Sequence, residues 1–398
     1  MCGITGFITT SNRFSQAEMQ RFLNSMNDSI IHRGPDYSGS WSSVEAGVWL
    51  GHRRLAIIDL TVAGHQPMLS PSSRYIISFN GEIYNHQLLR QMLETCQKAP
   101  TWRGHSDTET LLAGFDEWGI ESTLKKAIGM FAFAVWDNQN KTLTLGRDRL
   151  GEKPVYYGWQ GKGNDAVFLF GSELKALRAH PFFENKISRG ALSLQMRHNY
   201  IPSPYSIYEG IFKLRPGTLL TVSLHKRKPK VSEYWSGAQV ARSGVARVFA
   251  SDPKQAIDEL ETLLKDAVRM QMMADVPLGA FLSGGVDSSA IVALMQEQSL
   301  EPVKTFTIGF NEEGYNEAKY AKAVAQHLGT DHTELYVTPE QARAVIPILS
   351  TLYDEPFSDS SQIPTFLLSQ LAKQHVKVCL SGDAGDELFC GYNRYKIS

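Results

Sequence analysis

Leu278-Gly279-Ala280-Phe281-Leu282-Ser283-Gly284-Gly285-Val286-Asp287-Ser288-Ser289 reads as an apolar strand, a glycine turn and the opening of a helix. Two glycines permit a tight turn with exposed N–H groups, and the hydroxyls and helix N-terminus then face an anion. The string is neither a Walker A loop, which needs Gly-Lys-Ser/Thr, nor a Gly-x-Gly-x-x-Gly dinucleotide turn. A lone aspartate among phosphate donors makes sense if Asp287 holds Mg²⁺. Around this stretch, strands are expected at 278–282, 303–308, 333–337 and 376–380. Helices are expected at 253–273, 288–298, 316–328, 339–352 and 361–374. Strands alternating with helices imply an α/β domain with a parallel, doubly wound sheet. Its last strand runs into Ser381-Gly382-Asp383-Ala384-Gly385-Asp386-Glu387, whose carboxylates could share the metal with Asp287, Asp386 foremost.

Upstream, residues 226–252 turn basic, small and irregular and are expected to form a linker between domains at 2–225 and 253–398. The Lys226-Arg227-Lys228-Pro229-Lys230 run reads as a solvated turn. The first domain reads as short strands at 47–50, 55–59, 75–79, 130–136, 142–145 and 167–170, with helices at 16–30, 86–96 and 107–118 and a closing strand near 218–220. Helices gathered around antiparallel strands suggest an α+β layered domain. It opens Met1-Cys2-Gly3-Ile4. A small residue at position two lets the initiator Met be removed, leaving Cys2 with a thiol and a free α-amine. That amine titrates near pH ~8 and can take the thiol's proton. Four polar clusters could assemble around Cys2: 32–36, 51–55, Asn80-Gly81-Glu82-Ile83-Tyr84-Asn85, and Ser106-Asp107-Thr108-Glu109, the last a helix cap.

Bulk properties narrow the classes. At 398 residues two domains are expected. A net charge of −1 argues against a large electrostatic commitment to nucleic acid or anionic lipid. There is no 18-residue apolar stretch and no basic-then-apolar leader, so neither a membrane span nor a secretory signal is expected. Cys2, Cys96, Cys379 and Cys390 show no metal or CxxC spacing, which fits free thiols in a reducing cytoplasm.

In this order after Cys2, the clusters resemble the N-terminal-nucleophile glutamine amidotransferase domain, a four-layer αββα fold, over about residues 2–220. The resemblance implies that Cys2 attacks the side-chain amide of glutamine and that the Asn80 side chain and Gly81 N–H hold the oxyanion. It also implies that Arg54 takes the α-carboxylate and Asp107 the α-ammonium, with Leu55, Ile57, Ile58 and Glu82 completing the pocket. The Ser283–Ser288 loop resembles the pyrophosphate loop of ATP pyrophosphatases. Together the halves resemble glutamine-hydrolysing asparagine synthetase. That implies ATP contacts at Leu282, Ser283, Gly284, Gly285, Asp287, Ser288, Ile308, Ser381 and Gly382, and Mg²⁺ at Asp287 and Asp386. Glu355, within Asp354-Glu355-Pro356, and Asp383 would flank the acyl-adenylate pocket.

The implied activity joins glutamine hydrolysis to ATP-dependent amidation of aspartate through β-aspartyl-AMP, with ammonia crossing an internal passage. The oligomeric state stays open, a homodimer included. Two departures stand out. The family usually reads Ser-Gly-Asp/Glu-Gly-Ala/Ser-Asp-Glu, whereas Ala384 and Gly385 exchange the small residues here. Family members also run well over a hundred residues further, implying an incomplete second domain. Amidation of a sugar or other carboxylate, a bare glutaminase, and a non-catalytic binding protein are the alternative readings.

Overall fold

The computed structural model describes residues 2–9, 13–224, 226–250, 252–311, 316–392 and 395, without the side chains of 164, 226 and 227. Met1, Asn393 and Arg394 lie outside them. Residues divide into one unit of Met1–Val248 with Tyr353–Ser358, and a second of Phe249–Leu352 with Asp359–Ser398.

The first unit holds two six-stranded sheets. Its strands are β1 (Gly3–Thr9), β2 (Tyr37–Ser43), β3 (Val48–Arg54), β4 (Met68–Leu69), β5 (Tyr75–Ile83), β6 (Gly129–Asp137), β7 (Thr142–Arg147), β8 (Tyr156–Gln160), β9 (Val167–Gly171), β10 (Ile211–Lys213), β11 (Thr218–Ser223) and β12 (Lys226–Glu233). One sheet runs β10-β8-β9-β1-β3-β2, the other β12-β11-β7-β6-β5-β4.

The period-two alternation of a strand explains the layering. Ile4 and Ile8 of β1, Leu50 of β3, Ile76 of β5 and Ala132 and Ala134 of β6 meet in one core between the sheets. Phe7, Trp49 and Leu169 point the other way, onto Met19, Leu23 and Met26 of helix Gln16–Asp28. On the far face, Ile77, Phe79, Phe131 and Phe133 pack on Leu111, Leu112 and Phe115 of helix Asp107–Trp118. The result is the αββα sandwich. Because both faces of each sheet are covered, β1 and β3 are buried along their whole length.

Three sequence expectations need correction here. Residues 55–59 form a bend after β3, not a strand, and the Gly51–Arg54 cluster lies inside β3. The segment read as a linker carries β12, paired with β11, and helix Gly237–Ala246. The basic run at 226–230 is therefore strand rather than turn.

The second unit's sheet comprises β13 (Leu278–Phe281), β14 (Lys304–Phe310), β15 (Asp331–Val337) and β16 (Val378–Leu380). All pairs are parallel, in the order β15-β14-β13-β16. Val292 and Met295 of helix Val286–Glu297 and Ala321 and Ala325 of helix Ala318–Leu328 pack in one core with Ala280. Helix Gln362–Ala372 contributes Leu368 and Ala372 to a separate cluster with Phe306. The strand order reverses at β13, so the crevice beyond the ends of β13 and β16 is where such sheets bind ligands.

Candidate active sites

Cys2 enters β1, a central strand held by β3 and β9. The bend at Leu55 leaves backbone free to face the thiol: Leu55 N–H donates to Sγ at 3.4 Å, and Sγ lies 3.5 Å from Leu55 O. Burial pushes the Cys2 thiol up, offset in part by the Leu55 hydrogen bond, so it needs a base to ionise near neutrality. The Cys2 carbonyl accepts from Arg33 Nε at 2.9 Å. Arg33 in turn donates to Glu173 at 2.7 Å, and His32 and Lys175 reach the same carboxylate at 3.0 and 2.6 Å. Burial alone would raise Glu173, but these donors and the Arg33 charge hold it well below the usual carboxylate range.

The residues that the resemblance assigns to the glutamine pocket line one narrow pocket with Cys2, from Arg54, Leu55, Ile57 and Ile58 through Asn80, Gly81 and Glu82 to Asp107, whereas the 32–36 cluster does not line it. Asn80 is wholly buried, and neither Oδ1 nor Nδ2 has a partner among the described residues. Leaving a buried amide unsatisfied costs on the order of 1–3 kcal/mol, so this carboxamide is set for a ligand. At Gly81 a Cβ would strike Phe131 Cα at 2.6 Å, which restricts the position to glycine. Arg54 is spoken for in part: it donates to Thr61 O at 2.9 Å and to Asp59 O. Asp107 accepts from Ile83 N at 2.8 Å and Thr108 N at 2.7 Å, while Ser106 is the helix cap. Burial, with the Asp107 charge beside it, pushes Glu82 up to about 8 against the pull of Lys153. Gln66 and Lys153 also line the pocket. Sequence reasoning missed both, since neither belongs to the four clusters read around Cys2.

In the second unit a cleft of about 510 Å³ opens at the ends of β13 and β16. That volume falls within the roughly 300–1,000 Å³ typical of small-molecule sites. Leu282, Ser283, Gly285, Asp287, Ser288, Ile308, Ser381, Gly382, Asp383 and Asp386 line it, joined by Thr365 and Leu368 from helix Gln362–Ala372. Gly284 does not line the cleft but shapes its loop, with φ +83° and no room for a Cβ beside Tyr320 and Ala321. Hydroxyls lock the turn: Ser283 Oγ and Ser288 Oγ lie 2.9 Å apart, and Gly285 N–H donates to Ser283 Oγ at 3.2 Å. Gly382 passes so close that a Cβ would meet Ser288 N at 2.6 Å, and one on Gly385 would overlap the Asp287 carboxylate. No cluster of three His, Cys, Asp or Glu forms among the described residues. The Asp287–Asp386 rim still suits Mg²⁺, which commonly takes one or two carboxylates plus phosphate oxygens and water.

Glu355 departs from expectation. It does not line the cleft, and its stretch groups with the first unit. Lys213 pairs with it at 2.6 Å, Ile207 N–H donates at 2.8 Å and Tyr156 OH at 3.4 Å. Asp354 accepts from Lys175 N at 2.9 Å and pairs with its ammonium at 3.3 Å. Both carboxylates are compensated inside the sandwich unit, so they are anchors for this stretch rather than open ligands.

Residues 1–235 match the model of the glutamine amidotransferase domain family, and residues 259–398 match that of asparagine synthase. The chain belongs to the glutamine-hydrolysing asparagine synthetase family. A relative from Methanocaldococcus jannaschii, provisionally named asparagine synthetase [glutamine-hydrolyzing] 2, is 38% identical over 98% of this chain and 76% of its own length. Asparagine synthetase [glutamine-hydrolyzing] 1 of Bacillus subtilis is 35% identical over all of this chain and 60% of its own length. Asparagine synthetase [glutamine-hydrolyzing] 3 of the same organism is 32% identical, covering 98% of this chain and 63% of that protein. The chain thus spans about three fifths to three quarters of the length of these three relatives. No helix among the described residues is long and apolar enough to cross a membrane.

Proposed function

We propose that this chain carries the glutamine-hydrolysing and adenylate-forming sites of a glutamine-dependent asparagine synthetase acting in the cytoplasm. The observation that carries the reading is the pairing, on one chain, of an unsatisfied buried Asn80 carboxamide beside the Cys2 thiol with a hydroxyl-lined, strand-end cleft bearing Asp287. With Met1 removed, the Cys2 amine takes the thiol proton and Sγ adds to the glutamine amide carbon. Asn80 and Gly81 N–H receive the oxyanion. The C–N bond then breaks, ammonia leaves with the proton, and water hydrolyses the thioester to glutamate. Arg54, its guanidinium steadied by the Asp59 and Thr61 carbonyls, orients the α-carboxylate, and Asp107 holds the α-ammonium. Glu82, protonated near neutrality, offers a donor in the pocket.

In the cleft, the Ser283–Ser288 loop cradles the ATP phosphates, and Leu282, Ile308, Ser381 and Gly382 hold the adenosine. Asp383 lies beside the acyl-adenylate position. Mg²⁺ would be held by Asp287 and Asp386 and would neutralise phosphate charge. Aspartate's β-carboxylate attacks the α-phosphorus of ATP, pyrophosphate departs, and ammonia displaces AMP from the acyl-adenylate.

The test is product analysis by mass spectrometry with glutamine, ATP, Mg²⁺ and a panel of carboxylates. Cys2→Ala should abolish glutamate formation yet leave ammonia-dependent amide formation. Asp287→Asn should abolish aspartate-dependent pyrophosphate release yet leave glutamine hydrolysis. Glutamate formation unaffected by Cys2→Ala would refute the first site. Pyrophosphate release unaffected by Asp287→Asn would refute the second, and release driven by a different carboxylate would replace aspartate as acceptor.

A further inference from the structure

Among the described residues, the backbone that presents Asn80 has a strand on one side only. β6 pairs with β5 from Tyr75 to Ile83, whereas β4 covers only Ile76 and Ile77 on the other edge. Phe79, immediately before Asn80, therefore turns an N–H and a C=O toward an edge with no strand. Two buried side chains take them. Gln66 Oε1 accepts the Phe79 N–H at 2.6 Å, and His52 Nε2 lies 3.0 Å from the Phe79 carbonyl oxygen. Gln66 also donates to Thr108 Oγ1 at 3.2 Å, tying this edge to the helix that begins at Asp107.

His52 comes from β3 of the opposite sheet, is fully buried, and does not line the pocket. A carbonyl only accepts, so Nε2 must carry the hydrogen and Nδ1 a lone pair. That Nδ1 is buried without a partner among the described residues. Space-filling alone does not account for this arrangement: a leucine would strand no ring nitrogen, but it would leave the buried Phe79 carbonyl without the donor that His52 supplies. Burial pushes the ring down to about 4, keeping the neutral, donating form at working pH. The carbonyl of Phe79 and the nitrogen of Asn80 share one planar peptide unit. Fixing that plane fixes the direction in which the Asn80 side chain leaves the strand.

We infer that His52 is a positioning residue for the glutaminase reaction: its Nε2–H clamps the Phe79–Asn80 peptide, and with Gln66 replaces the missing strand that would hold the oxyanion-binding carboxamide in aim. This rests on the role of Asn80 proposed above. The probe is glutamate γ-semialdehyde. The Cys2 thiol adds to its aldehyde carbon, a C–S bond forms, and the carbonyl oxygen becomes the hydroxyl that Asn80 and Gly81 hold, with no group leaving. Iodoacetamide is the control, because it alkylates Cys2 with loss of iodide and makes no oxyanion.

His52→Leu and His52→Asn, whose shorter amide falls short of Phe79 O, should weaken aldehyde inhibition and lower kcat by on the order of 10-fold, a fraction of the loss of an oxyanion donor. KM for glutamine and the alkylation rate should hold. His52→Gln, whose Nε2 stands the same number of bonds from Cα, should restore aldehyde binding. Asn80→Ala should weaken it by on the order of 100-fold. Wild-type affinity in both His52→Asn and His52→Leu, with Asn80→Ala impaired, overturns the positioning role alone. Should His52→Leu not fold, the His52→Asn and His52→Gln pair decides. Wild-type affinity in Asn80→Ala overturns the oxyanion reading itself.

Discussion

Replacing Glu173 by Gln tests whether the charge network behind Cys2 holds the nucleophile in place. Glu173 is 15% exposed and accepts from His32, Arg33 and Lys175. Arg33 is 10% exposed, already has one orphaned Nη2, and spends its Nε on the Cys2 carbonyl. Glutamine keeps an acceptor but removes the only carboxylate paired with Arg33 among the described residues, leaving a nearly buried guanidinium uncompensated. Breaking a buried pair from one side costs about 3–5 kcal/mol. Lys175 keeps Asp354 as a second partner, so the low end applies, about 3 kcal/mol. At roughly 2–4 °C per kcal/mol, melting of the first unit should fall by about 6–12 °C near neutrality.

The pH dependence carries its own sign. The folded Glu173 carboxyl sits below its unfolded value of about 4.3, so its contribution is complete above that pH and is lost as pH falls through the folded value. The gap between wild type and Glu173→Gln should therefore be constant from neutrality down to about pH 5 and close only in stronger acid. Loss of the Arg33 anchor should also lower glutaminase kcat by about 10-fold through misplacement of Cys2. Differential scanning calorimetry across pH, with iodoacetamide labelling of Cys2, reads both effects. A Glu173→Gln protein melting within about 2 °C of wild type at pH 7, with unchanged turnover, would refute the reasoning.

Glu82 has the opposite sign: raised from an ordinary carboxylate to about 8, it withdraws stability as pH climbs between those values. Glu82→Gln should flatten that decline in urea melts from pH 5 to 8; an unchanged slope would show that Glu82 is already ionised. Ala384→Gly should gain about 0.5–1 kcal/mol, the relief of a left-handed alanine less the added chain entropy. Gly385→Ala should cut aspartate-dependent pyrophosphate release while sparing glutamine hydrolysis, and equal losses in both assays would place the damage elsewhere.

Much of both sites was legible because their residues come in short runs tied to strand ends. The Asn80-Gly81 pair and the Ser283–Ser288 loop each carry their reason locally, in glycines that admit close backbone. The strand that follows Cys2 was not read, because β1 is buried on both faces and shows none of the polar alternation that marks a half-exposed strand. Residues 55–59 look like a strand by composition, yet the backbone must bend there for Leu55 to reach the thiol. His52 and Gln66 act through contacts across layers, which no spacing rule reports. The same holds for Glu355: in sequence it is an acid in a polar loop, and only folding reveals that Lys213 neutralises it.

The exchange of small residues at Ala384 and Gly385 follows from two different demands on neighbouring positions. Ala384 has φ +75°, a conformation that costs an alanine about 1–2 kcal/mol. Gly385 needs no unusual dihedral; its constraint is the Asp287 carboxylate, which a Cβ would overlap. A dihedral penalty can be absorbed by the rest of the fold, whereas displacement of Asp287 would move the acid that the Ser283–Ser288 loop presents to the cleft. With one glycine for the two positions, placing it at 385 protects the site and leaves the tolerable strain at 384. The alanine at the loop's left-handed position is thus compatible with an intact cleft.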